Sequence, residues 1–147
     1  LSGGIAVAKA QAIRELYEGL ESYQPLIDLT GHRRGASTLS SGARIVGDSV
    51  RLRPHPIPGV VLRLGSKNAG RGGPSQPEKI WLVTVLIYAE DVFQAADILE
   101  ALETWTAEAR WTSQHIRRVA WRGSEQVELE PGQQYISVAA TLEITYI

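Results

Sequence analysis

Between residues 80 and 88 the chain is apolar on both of its alternating sets. Trp81, Val83, Val85 and Ile87 lie on one side, and Ile80, Leu82, Leu86 and Tyr88 on the other. A strand uses that pattern when it is covered on both faces, so this segment is expected to run through the middle of a sheet. The next segment narrows the architecture. Glu90 and Asp91 open an amphipathic helix over 92–109, at the end where the helix dipole favours negative charge. Its expected core stripe is Val92, Ala95, Leu99, Leu102 and Ala109, with Ile98 and Trp105 beside it. The closing segment alternates strictly: Ile136, Val138, Ala140, Leu142, Ile144 and Tyr146 against Ser137, Ala139, Thr141, Glu143 and Thr145. Central strand, helix and paired strands in that order predict an α+β fold. The sheet should be small and mostly antiparallel, flanked by two amphipathic helices.

The second helix of the pair lies near the start. Ile5, Ala8, Ala12, Ile13, Leu16, Tyr17, Leu20 and Tyr23 recur at helical spacing, with Lys9, Arg14, Glu15, Glu18 and Glu21 opposite. Pro25 is expected to end it, because the residue before a proline is pushed out of helical geometry. Residues 31–44 (GHRRGASTLSSGAR) have no period and read as a mobile loop. A strand interrupted near Gly47 and Asp48 is expected over 46–53. Pro54, Pro56 and Pro58 then make a rigid extended lead into a strand over 60–64. Residues 65–79 (GSKNAGRGGPSQPEK) form a second, basic loop of a length usually tied to function. A strand is expected over 115–121, a turn at Gly123-Ser124 and another at Pro131-Gly132. With 147 residues, 44% of them apolar, the chain reads as a single domain able to bury its own core.

The net charge of -1 conceals segregation. Residues 31–79 carry nine Lys or Arg against Asp48 and Glu78, a balance of +7, whereas residues 80–109 carry six acids and no base. Blocks of opposite sign suit head-to-side self-assembly, and equally suit ordinary solvated faces. Catalytic equipment is missing. His32, His55 and His115 stand in separate segments without metal-ligand spacing, and His32 and His55 read as exposed loop residues. Asp97, Glu100 and Glu103 recur every third residue, but no neighbouring pocket is implied that would tune one as an acid. The Gly65–Gly70 stretch lacks the G-K-[ST] of a phosphate loop, and Gly72-Gly73-Pro74 stands where a helix should begin. There is no cysteine for thiolate or disulfide chemistry, and no apolar run of about 18 residues to span a bilayer. No catalytic residue, cofactor, metal or membrane contact is therefore expected. Trp81 and Trp105 fall in the expected core. Trp111 and Trp121, among Arg110, Arg117, Arg118 and Arg122, have the composition of an interface centre or of a core edge with arginines reaching outward.

These elements together resemble the tail terminator proteins of long-tailed bacteriophages, the lambda type included. The likeness rests on the N-terminal amphipathic helix and the Pro58-x-Val60-x-Leu62 strand. It continues through Trp81-x-Val83-x-Val85-x-Ile87-Tyr88 leading into an acidic helix, and ends in Leu142-Glu143-Ile144-Thr145-Tyr146. The resemblance implies a non-enzymatic virion protein that forms a ring, a hexamer in that family. Such a ring caps the head-proximal end of the tail tube, stops tube polymerisation and docks the head-neck or stopper protein. Genome DNA passes through its lumen without specific binding. The implied location is the virion tail or neck, after assembly in the host cytoplasm. On that reading Arg33, Arg34, Lys67, Arg71, Lys79, Trp111 and Trp121 make contacts, and Glu90, Asp91, Asp97 and Glu100 line an acidic lumen or a subunit interface. The 31–44 and 65–79 loops depart from shorter members. Two alternatives stand beside it: another neck or minor tail protein, and a nucleic-acid-binding module that uses the basic 31–79 segment.

Overall fold

The computed structural model describes residues 3–48, 55–65, 79–111 and 115–147. In chain order these form α1 (Gly3–Glu21), α2 (Gln24–Thr30), β1 (Ile45–Gly47), β2 (Gly59–Arg63), β3 (Lys79–Ala89), α3 (Val92–Glu108), β4 (Ile116–Gln126) and β5 (Ile136–Tyr146). The strands make one sheet in the order β1-β2-β3-β5-β4. Among these strands β1 and β2 pair in parallel and the remaining pairs are antiparallel, so the fold is α+β with a mostly antiparallel mixed sheet.

β3 is the central strand that its sequence demands. It pairs with β2 on one side and, along its whole length from Lys79 with Tyr146 to Ala89 with Ile136, with β5 on the other. Trp81, Val83, Val85 and Ile87 meet Val138, Ala140, Leu142 and Ile144 on the face that the helices cover. Cover on the second face is uneven. Leu86 and Tyr88 join Ala43, Val46 and Val61 in a smaller cluster roofed by Ala36, Ile57 and Tyr135, while Ile80, Leu82 and Thr84 stay half-exposed. The second apolar set of β3 is thus buried over its C-terminal half only.

The helices dock by the residues their periodicity selects. α1 presents Ala12, Leu16 and Leu20, all fully buried, and Lys9 Nζ sits 4.7 Å above the Trp81 ring. α3 buries Ala95, Ile98, Leu102 and Trp105. Its interior Thr104 and Thr106 each cost under about 0.7 kcal/mol of helix propensity. Burying Ile98 and Leu102 stabilises by about 1.5–3 kcal/mol apiece, so packing decides the matter. The phase of this stripe differs from the sequence expectation. Val92 belongs to the solvent side, 51% exposed, because the sheet selects the 95/98/102/105 set.

Other expectations are corrected by local geometry. Pro25 does not simply end a helix: α1 stops at Glu21, and Pro25 stands in the first turn of α2, where its missing N–H is harmless. α2, a third helix, ends on Gly31 at φ +74°. The strand expected over 46–53 is the short β1, ending at Gly47; residues 49–54 lie outside the described residues. Gly123 and Ser124 make no turn. β4 runs through them, and Gly123 follows a register shift after Trp121, as at a β-bulge. The Pro131-Gly132 turn forms as expected. Gln133 N–H donates to Glu130 O across 3.0 Å, and Gly132 takes φ +82° as a type II turn requires.

Candidate interaction surfaces

His32 reads as an exposed loop residue in the sequence, and the structure buries it. Its side chain is fully enclosed. Nδ1 accepts from the backbone N–H groups of Arg44 at 2.8 Å and Ile45 at 3.0 Å. With Nδ1 as the acceptor, the ring proton sits on Nε2, which donates to Glu21 Oε2 at 3.1 Å. The same Glu21 oxygen accepts from Gly35 N–H at 3.1 Å, and the Tyr17 hydroxyl lies 3.3 Å from it and 3.0 Å from the Ile45 carbonyl oxygen. One carboxylate and one imidazole therefore tie the end of α1, the 31–44 loop and β1 together. The loop is further closed by Arg33 N–H to Gly42 O and Ala43 N–H to Thr38 O, both 2.9 Å. His55 is also not a free surface residue, since its ring stacks on Tyr88 at 4.3 Å. His115 Nδ1 lies 2.8 Å from Glu15 Oε2, fastening the start of β4 to α1.

These contacts set the titration of Tyr17 and Glu21. Burial and the Glu21 charge push the Tyr17 hydroxyl up to about 12. For Glu21, burial acts upward, but the bonds from His32, Gly35 and Tyr17 outweigh it and hold the carboxyl below its ordinary value. A folded value below the unfolded one means that the stabilisation is present above the unfolded value and disappears as pH falls through the folded one. Melting temperature should therefore drop on acidification below about pH 4.3, the ordinary glutamate value. Glu21→Gln should flatten that part of the curve; equal acid sensitivity in both proteins would sink the assignment.

The two outer tryptophans come together. Trp111, Trp121, Arg110, Arg117 and Arg118 line a groove of about 640 Å³ between the last turns of α3 and β4. Trp111 meets Trp105 edge-on, ring centroids 5.7 Å apart, and both rings lie against the backbone of Gly19 in α1. A Cβ at Gly19 would stand 3.0 Å from Trp111 and 3.1 Å from Trp105, so glycine permits that approach. Trp111 Nε1 is buried with no hydrogen-bond partner, the one such side-chain atom among the described residues.

Glu90, Asp91, Asp97 and Glu100 are all exposed along the first half of α3. Asp91 has a local duty as well: it is the N-cap, accepting from Gln94 N–H at 2.8 Å, while Gln94 Oε1 accepts from Glu90 N–H at 2.8 Å. Among these acids stands a residue that no sequence motif marks. Phe93 is 78% exposed, with Val92 beside it. Its signal in the sequence is its phase, because Phe93 falls off the 95/98/102/105 stripe.

Among the described residues the basic segment is less one-sided than its composition. Arg33 and Arg34 are exposed, but Arg34 shares a small groove with Glu15, Glu18 and Glu21. Arg63 pairs with Asp48 at 3.3 Å. Lys79, half-buried, opens β3. Lys67 and Arg71 lie outside the described residues, as does most of the 65–79 loop. A further groove of about 600 Å³ runs between α1 and the ends of β1 and β2, walled by Ile13, Tyr17, Leu62 and Leu64. Among the described residues no group of three or more His, Cys, Asp or Glu could hold a metal ion.

No protein-family model matches the chain, and a comparison with curated proteins finds no match. A solved structure does share the fold: a chain of the virion of a native gene transfer agent particle. The match has a TM-score of 0.60 at 12% identity, and covers 88% of this chain and 90% of that one.

Proposed function

We propose that this chain is a structural virion protein acting as a tail-terminator-type ring subunit. In this role it covers the growing, head-proximal end of a phage-type tail tube and offers its other side to a neck protein. The observation that carries the reading is the fold shared with a gene transfer agent virion component across about nine-tenths of both chains. The sequence resemblance to tail terminators rests on separate features, the strand and helix patterns, and points the same way. The surfaces are compatible with contact-making: an acidic helix face around Phe93, and a tryptophan-lined groove edged with arginines. Within this reading the ring is a hexamer, its partners are the tube protein and a neck protein, and the acids of α3 face the lumen or a neighbour. An acidic lumen would repel DNA and let it slide.

The nucleic-acid alternative draws less support. Among the described residues of its basic segment, Arg63 pairs with Asp48 and Arg34 shares a groove with three acids of α1. A one-signed patch is what counterion release needs.

Tube assembly tests the proposal. Added to polymerising tail-tube subunits, the protein should arrest elongation and leave a ring at one end of each tube in negative-stain images. Tubes that lengthen at the same rate and carry no ring would overturn it.

A further inference from the structure

Phe93 is the only phenylalanine in the chain and stands 78% exposed on the first turn of α3. Val92, next to it, is 51% exposed. Burying such a side chain stabilises by about 1.5–3 kcal/mol, so this knob is apolar area that the single chain leaves in water. Acids surround it. Phe93, Asp97 and Glu100 follow i, i+4 and i+7 and share one helix face, with Glu90 and Asp91 at its start.

The Trp111–Trp121 groove has the complementary character. Two half-buried indoles form its apolar wall, with Arg117 and Arg118 on the β4 side and one acid, Glu103, on the α3 side, while Arg110 also borders the acids of α1. Tryptophan and arginine are the residue types that dominate interface centres.

We propose that the Phe93 knob of one copy seats in the Trp111–Trp121 groove of the next, with Asp97 and Glu100 facing Arg117 and Arg118. The occupant is a second copy because both halves of the fit are on this chain and cannot meet within it. From Phe93 to Glu103, the nearest groove residue along α3, the helix rises about 15 Å. Two different patches in contact make a head-to-tail joint, which closes into a ring or continues as a filament. The inference rests on the ring reading and names its joint.

The chain has no cysteine, so introduced thiols report without background. Asp97→Cys/Arg118→Cys, treated with a short bismaleimide, should give a ladder of covalent oligomers on a denaturing gel, and neither single variant should go beyond a dimer. Phe93→Asp should weaken self-association at least about tenfold by light scattering, the loss of a hot-spot contact. At a dilution where both proteins are monomeric its melting temperature should match wild type, because Phe93 stands outside the core. A Phe93→Asp variant that associates like wild type overturns the joint, as does a wild-type chain that stays monomeric. Rings that cap tubes despite Phe93→Asp would remove the joint and leave the ring reading standing. Wild-type filaments, with a full ladder from the double-cysteine variant but no tube capping, would keep the joint and remove the ring reading.

Discussion

His32→Ala should destabilise the protein by about 2–6 kcal/mol, measured as a shift in the urea midpoint at unchanged slope. The size comes from the bonds that the ring makes. Nδ1 is the acceptor for two backbone N–H groups, those of Arg44 and Ile45, at the entry to β1. Removing it orphans both donors, each at about 1–3 kcal/mol, and Glu21 loses the Nε2–H donor that helps keep it ionised. Domains of this size are stable by only about 5–15 kcal/mol, so the loss would be a large share of the total. His32→Asn separates the two functions. Its Oδ1 falls near the position of Nδ1 and can accept from the same N–H groups, but it does not reach Glu21. Stability should rank His32, then Asn, then Ala. An alanine variant within about 1 kcal/mol of wild type would mean that water replaces the ring without cost.

The contrast between this histidine and β5 explains what is legible in the sequence. Each face of β5 repeats every second residue, so its burial can be read from the segment alone, and Val138, Ala140, Leu142, Ile144 and Tyr146 are buried as expected. β3 is legible for the same reason, apart from Ile80 and Leu82, which the second apolar cluster does not reach. His32 has no period to announce it. Its partners Glu21 and Ile45 lie 11 and 13 residues away in elements that meet only in the folded chain. The phase of α3 is ambiguous at Val92 because the first turn has apolar residues on both sides of the helix, and only the sheet decides which set goes inward. Gly123-Ser124 has turn composition, yet β5 is long enough to carry β4 straight past it as a bulge. Trp111 and Trp121 stand out by composition. That they share a groove depends on how β4 packs against α3.

Trp105→Ala should cost about 3–5 kcal/mol, the range for a large aromatic removed from a core. Trp105 is 4% exposed and joins the last turns of α3 to α1 through the close approach at Gly19. The cost should lie toward the upper end, because two losses coincide. The cavity opens where the Trp105 ring bridges α3 to Gly19 of α1. The edge-on contact with Trp111 also goes, itself contributing about 0.5–1.5 kcal/mol beyond area. Trp105→Phe retains a ring against Gly19 and should recover more than half of the loss in urea denaturation. Circular dichroism adds a second reading, since the contribution of the Trp105–Trp111 pair should be lost in the phenylalanine variant while the helix and strand content stays. An unchanged spectrum in Trp105→Phe would mean that the two rings are not held edge-on against each other in solution.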